Sequence, residues 1–126
     1  MGDEGLAIRD VDFEAIASIE PPTLRLRGNA DASIVARLRV LIDKLHHQLV
    51  AGRAREVAVD IRALEFMNAT CFNVLINWLA LINDLGPDDR YHLRFAISSG
   101  THWQRRTLHT LSCFATDLVV VHLDGE

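Results

Sequence analysis

Residues 60–72 read DIRALEFMNATCF, from Asp60 to Phe72, and they carry a strand into a helix through a turn with a hydroxyl at the helix start. Just upstream, Glu56 to Ile61 places Val57, Val59 and Ile61 at period two, which predicts a strand with one face on a core. A helical pattern begins near Asn68, a favoured N-cap residue because its side-chain oxygen accepts a free backbone N–H of the first turn. Thr70 then falls in that turn, beside the positive end of the helix dipole. A phosphate on Thr70 would sit where backbone donors favour an anion.

Strand, Asp60, an apolar spacer, Phe66-Met67, the polar cap Asn68, then Ala69-Thr70-Cys71-Phe72 and an apolar helix resemble the signature of the STAS family, the domains of sulfate transporters and anti-sigma factor antagonists. The usual form of that signature is an Asp, a short spacer and F-[MI]-D-S-S-G-L. The resemblance covers about Thr23 to Leu123 and implies a mixed sheet with helices mostly on one face. It also implies a switch, since the second Ser of the run is phosphorylated in the bacterial antagonists by a kinase that is also the anti-sigma factor. Thr70 stands in its place, and Asp60, Met67, Asn68, Ala69 and Cys71 make up the rest of the switch loop. Three positions depart from the pattern: Asn68 replaces Asp, Ala69 replaces Ser and Cys71 replaces Gly. The implied partner is a serine/threonine kinase or anti-sigma factor, with ATP belonging to the kinase and no cofactor held by this chain. A homodimer is compatible with such a module.

The bulk properties agree with a small cytosolic module. At 126 residues and 49% hydrophobic, the chain fills one compact domain, 1–126. Roughly the first ten residues are acidic and lack an apolar pattern, so they are expected to be flexible and to form no secretory leader. The formal net charge of -4 gives no basic footprint for nucleic acid. The longest apolar segment, Phe72 to Leu85, is interrupted by Asn73, Asn77, Asn83 and Asp84, which argues against membrane insertion. Cys71 and Cys113 read as reduced thiols, and the expected location is the cytoplasm.

Along the chain, Phe13 to Ile19 and Thr23 to Arg27 read as two strands around Pro21-Pro22, with a turn at 28–31. Asp31 or Ser33 then caps a helix whose Ile34, Leu38, Leu41, Ile42, Leu45 and Leu49 form one stripe, and Gly52 stops it. On this helix His46 and His47 are expected together on the polar face. After the central strand, the second helix runs to about Leu85, apolar around most of its circumference. Tyr91, Leu93, Phe95 and Ile97 alternate with His92, Arg94 and Ala96 as another half-buried strand. A short helix at 102–111 and a strand at 118–123 close the α/β order, which calls for parallel pairs.

Each chemical candidate has a plainer reading. Thr70 in a first helical turn can serve only as a local hydrogen-bonding group, and the sequon Asn68-Ala69-Thr70 is accidental without a leader. Cys71 near a helix start could be an activated thiol, but a Cys in an apolar run is more often a small core residue, and no base is tied to it by spacing. The histidines show no ligand spacing, so no metal site is expected. On the third helix, Leu108 and Leu111 point to the core. Trp103, Arg105, Arg106 and His109 offer a basic, aromatic face of the kind that binds an acidic partner. The functional expectation is a stand-alone regulator switched by phosphorylation of Thr70. The alternatives are a constitutive scaffold of the same fold and an enzyme that depends on Cys71.

Overall fold

The alternation of apolar side chains organises the molecule around a six-stranded sheet whose spatial order follows the chain order. The computed structural model describes residues 6–98, 102–115 and 117–123. The strands are β1 (Ala7–Arg9), β2 (Phe13–Ile19), β3 (Pro22–Ala30), β4 (Glu56–Met67), β5 (His92–Ile97) and β6 (Val119–Leu123). Helices α1 (Val35–Ala51), α2 (Ala69–Asn83) and α3 (His102–Phe114) connect the last four strands. β1, β2 and β3 pair antiparallel, while β3, β4, β5 and β6 run parallel. This is the expected α/β class, with a mixed sheet and the helices on one face. Phe13, Ala15, Leu24, Leu26, Val57, Val59, Leu93 and Phe95 are buried beneath the helices. Arg25, Arg27, Ala58, His92 and Arg94 are exposed on the other side of the sheet.

The α1 stripe is buried as its spacing predicts. Asp31 caps a short 3-10 turn, Ala32–Ile34, by accepting from the Ser33 amide at 2.9 Å, and α1 follows it. At the other end, Gly52 takes φ −87° and Arg53 takes the left-handed conformation at φ 56°, so the reversal falls one residue later than the glycine. α2 buries Cys71, Val74, Leu75, Trp78, Leu79 and Ile82, and it ends at Asn83. No helix among the described residues is long and apolar enough to cross a membrane.

Four differences from the sequence reading have local causes. Residues 6–9 are not loose: Leu6 and Ile8 are 1% and 5% exposed, and β1 pairs with β2. Residues 1–5 lie outside the described residues. β3 continues through residues expected to turn, because Gly28 at φ +90° lets the chain pass the backbone of Asp12. A Cβ at Gly28 would lie 2.0 Å from the Asp12 carbonyl oxygen, and that oxygen accepts from the Asn29 amide at 2.7 Å. β4 runs past Ile61 to Met67 through two register shifts against β3, where Arg25 and Arg27 pair with Asp60 and Ala63, and Gly28 and Asn29 with Leu64 and Phe66. Each shift adds one residue to β4 and resets its alternation, so that Leu64 is buried and Phe66 is exposed.

The fourth difference is His46, which lies in the core and not on the polar face with exposed His47. The Tyr91 hydroxyl oxygen accepts from Trp78 Nε1 at 2.8 Å and lies 2.6 Å from His46 Nδ1. With its oxygen accepting from the indole, the Tyr91 O–H donates to an unprotonated Nδ1. Burial, and then the charge of His47, push the His46 pKa below its ordinary value, and burial pushes the Tyr91 pKa up. Both shifts agree with a neutral pair.

Candidate functional site

At the carboxyl end of β4 the chain leaves the sheet and turns into α2. The Asn68 amide donates to the Ala30 carbonyl at 2.8 Å, which fixes the turn to the end of β3. Asn68 has extended φ and ψ, and its Oδ1 accepts from the Thr70 amide at 2.8 Å, as an N-cap should. The Thr70 hydroxyl also donates to that oxygen. Ala69 and Thr70 are exposed, whereas Asn68 and Met67 are half-buried. Thr70 therefore stands as an exposed residue at the positive end of a 15-residue helix, with its hydroxyl on the Asn68 cap. Phe66, just upstream and 48% exposed, adds a large apolar surface.

Cys71 is buried, and its thiol donates to the Asp31 carbonyl at 3.4 Å. Burial, reinforced by the negative charge of Asp31, raises its pKa. It is held as a thiol inside the protein, the reverse of what an activated nucleophile requires.

Asp60 is not brought to this turn. It lies in the middle of β4, paired in register with Arg25 and Ala96, roughly 20 Å of extended strand before Met67. Its carboxylate accepts from Arg62 through the backbone N at 3.0 Å, Nε at 3.0 Å and Nη2 at 2.8 Å. Those bonds keep its pKa below the ordinary carboxylate value despite partial burial. Asp60 thus orders the outer face of β4.

α3 reaches the site through a residue that sequence reasoning passed over. Gln104 is fully buried, and its amide nitrogen donates to the carbonyls of Ile61 at 2.7 Å and Leu64 at 2.9 Å. Its side-chain oxygen accepts from the Ser98 amide at 3.0 Å. The register of β4 with β5 ends at Asp60 and Ala96. Beyond that point Gln104 supplies donors that a neighbouring strand would otherwise provide. It braces the stretch of β4 that leads to Phe66 and Asn68. The signal was present in the sequence: Gln104 is four residues before Leu108 and seven before Leu111, so a polar side chain sits on the apolar stripe.

The remaining candidates share this helix. Trp103 is half-buried against the core, while Arg105, Arg106 and His109 are exposed. The basic face thus stands on a helix that touches α2 and is anchored to β4. Comparison with protein-family models, with curated proteins and with solved structures finds no match for this chain.

Proposed function

We propose that this protein is a STAS-type regulator, related in action to anti-sigma factor antagonists, that binds a serine/threonine kinase or anti-sigma partner and releases it when Thr70 is phosphorylated. The observation that supports this reading is the exposed Thr70 at the start of α2, on a turn held by Asn68 and following a strand braced by Gln104. A phosphate there would bring a charge of about -1.5 to -2 and three acceptor oxygens into the docking surface. Exposed Phe66, four residues earlier in the chain, offers an apolar contact to a partner. The basic residues Arg105, Arg106 and His109 of α3 favour an acidic partner.

A constitutive scaffold is the second reading, favoured by the hydrogen bond through which the Thr70 hydroxyl already serves the Asn68 cap. The enzyme alternative draws no support from a buried, protonated Cys71.

Affinity capture from the source cells with wild-type, Thr70→Ala and Thr70→Glu baits separates the two binding readings. The switch predicts a kinase or anti-sigma protein retained by wild type and Thr70→Ala and lost from Thr70→Glu, with phosphate mapped to Thr70 on the recovered wild-type protein. Equal retention by all three, with Thr70 unmodified, selects the scaffold.

A further inference from the structure

At the opposite end of the parallel strands, where β4, β5 and β6 begin, lies a cleft of about 500 Å³. That volume falls within the range of small-molecule sites. Among the described residues Arg55 and Arg90 stand in its lining with one carboxylate, Asp117, so arginine charge outnumbers carboxylate charge there. Neither arginine takes part in a salt bridge among the described residues.

Helix termination explains only part of this arrangement. Arg90 Nη2 donates to the Asn83 carbonyl at 2.9 Å, at the last residue of α2, and Arg55 Nη1 donates to the Asp88 carbonyl at 2.8 Å. Each contact uses one of five guanidinium donors. Arg90 Nε is buried without a hydrogen-bond partner among the described residues. The guanidinium donors that these two carbonyls leave unused are the groups an oxyanion in the cleft would meet, and charge-assisted bonds to them are the strong kind. The lining also holds apolar side chains, and Phe114 among them is 62% exposed although it lines a concavity.

We infer that this cleft binds a small organic oxyanion, a phosphate or carboxylate attached to a planar apolar body. Arg90 and Arg55 hold the anionic head, and Phe114 packs on the body.

Cys113 gives a direct readout, being an exposed thiol in the lining, while Cys71 is buried. In the folded protein, uncharged iodoacetamide should alkylate Cys113 selectively. Phenyl phosphate or benzoate should slow that alkylation saturably, the better of the two identifying the preferred head group. Phenol, which lacks the charge, should do little, and inorganic phosphate, which lacks the ring, should act more weakly. Arg90→Gln should reduce the apparent affinity at least about ten-fold, equivalent to about 1.4 kcal/mol. Arg55→Gln, which leaves the α2 terminus capped, should weaken binding in the same direction, with thermal melting checking the fold of both variants. Absence of protection by either anion, equal protection by phenol, or wild-type affinity in the folded Arg55→Gln protein would overturn the assignment.

Discussion

Gln104→Leu probes the brace between α3 and the strand that delivers the candidate switch. The substitution keeps an apolar-compatible volume but removes three hydrogen bonds, to the Ile61 carbonyl, the Leu64 carbonyl and the Ser98 amide. The side chain is 0% exposed, so none of these backbone groups gains water simply by losing its partner. Each buried polar group left unpaired costs about 1–3 kcal/mol. Three such groups cost about 3–9 kcal/mol together, and relaxation at the end of β4 with the apolar burial of leucine brings the sum to the lower end of that range. The net loss is therefore about 3 kcal/mol, a large share of the roughly 5–15 kcal/mol typical of a domain. For a chain of this size that corresponds to a fall in Tm of about 10 °C. The loss should be local as well as global. Amide exchange at Ser98 should accelerate more than exchange in α1, because only Ser98 loses its acceptor. A variant that melts within about 2 °C of the parent, with Ser98 still protected, would refute the bracing role.

Gly28→Ala combines a left-handed φ with a Cβ placed 2.0 Å from the Asp12 carbonyl oxygen, so a loss of at least about 2 kcal/mol is expected by denaturant titration. Gly86→Ala, whose nearest neighbouring atom would be 3.9 Å away, should stay within about 0.5 kcal/mol of the parent. His46 is held below its ordinary value of 6.5 by burial, so the unfolded chain binds the proton first. Stability should therefore be complete above about pH 6.5 and decline as the pH falls below it, and His46→Gln should flatten that slope in thermal melts at stepped pH. Arg105→Glu with Arg106→Glu reverses two exposed charges, and melting should shift by no more than a few degrees. Calorimetric titration with the captured partner should show a loss of several-fold or more, and unchanged affinity would remove this face from the interface.

Elements with a clean period were legible in the sequence. The α1 stripe from Ile34 to Leu49 and the alternation from Tyr91 to Ile97 each repeat long enough to fix which side is buried. The Asn68 cap was legible for a different reason, since its chemistry is local and needs no knowledge of the tertiary structure. Where tertiary geometry broke the period, the reading stopped short. The two register shifts in β4 leave Arg62 and Ala63 exposed in succession, which reads as the end of a strand although pairing continues to Met67. β1 is three residues long, too short for a pattern, and is specified by its pairing with β2. His46 and Gln104 were missed because each is a polar residue buried through partners distant in sequence, Tyr91 for one and Ile61 with Leu64 for the other. Asp60 matched its position in the signature, yet its side chain is engaged by Arg62 well up the strand from the Asn68 turn.

Direct comparison of the protein carrying phosphothreonine at position 70 with the unmodified protein, both titrated against the captured partner, tests the switch itself. The switch predicts that the phosphate weakens binding at least about ten-fold, or about 1.4 kcal/mol, with α2 and the fold unchanged by circular dichroism. Equal affinities for the two forms would contradict it and leave Thr70 as part of a helix cap.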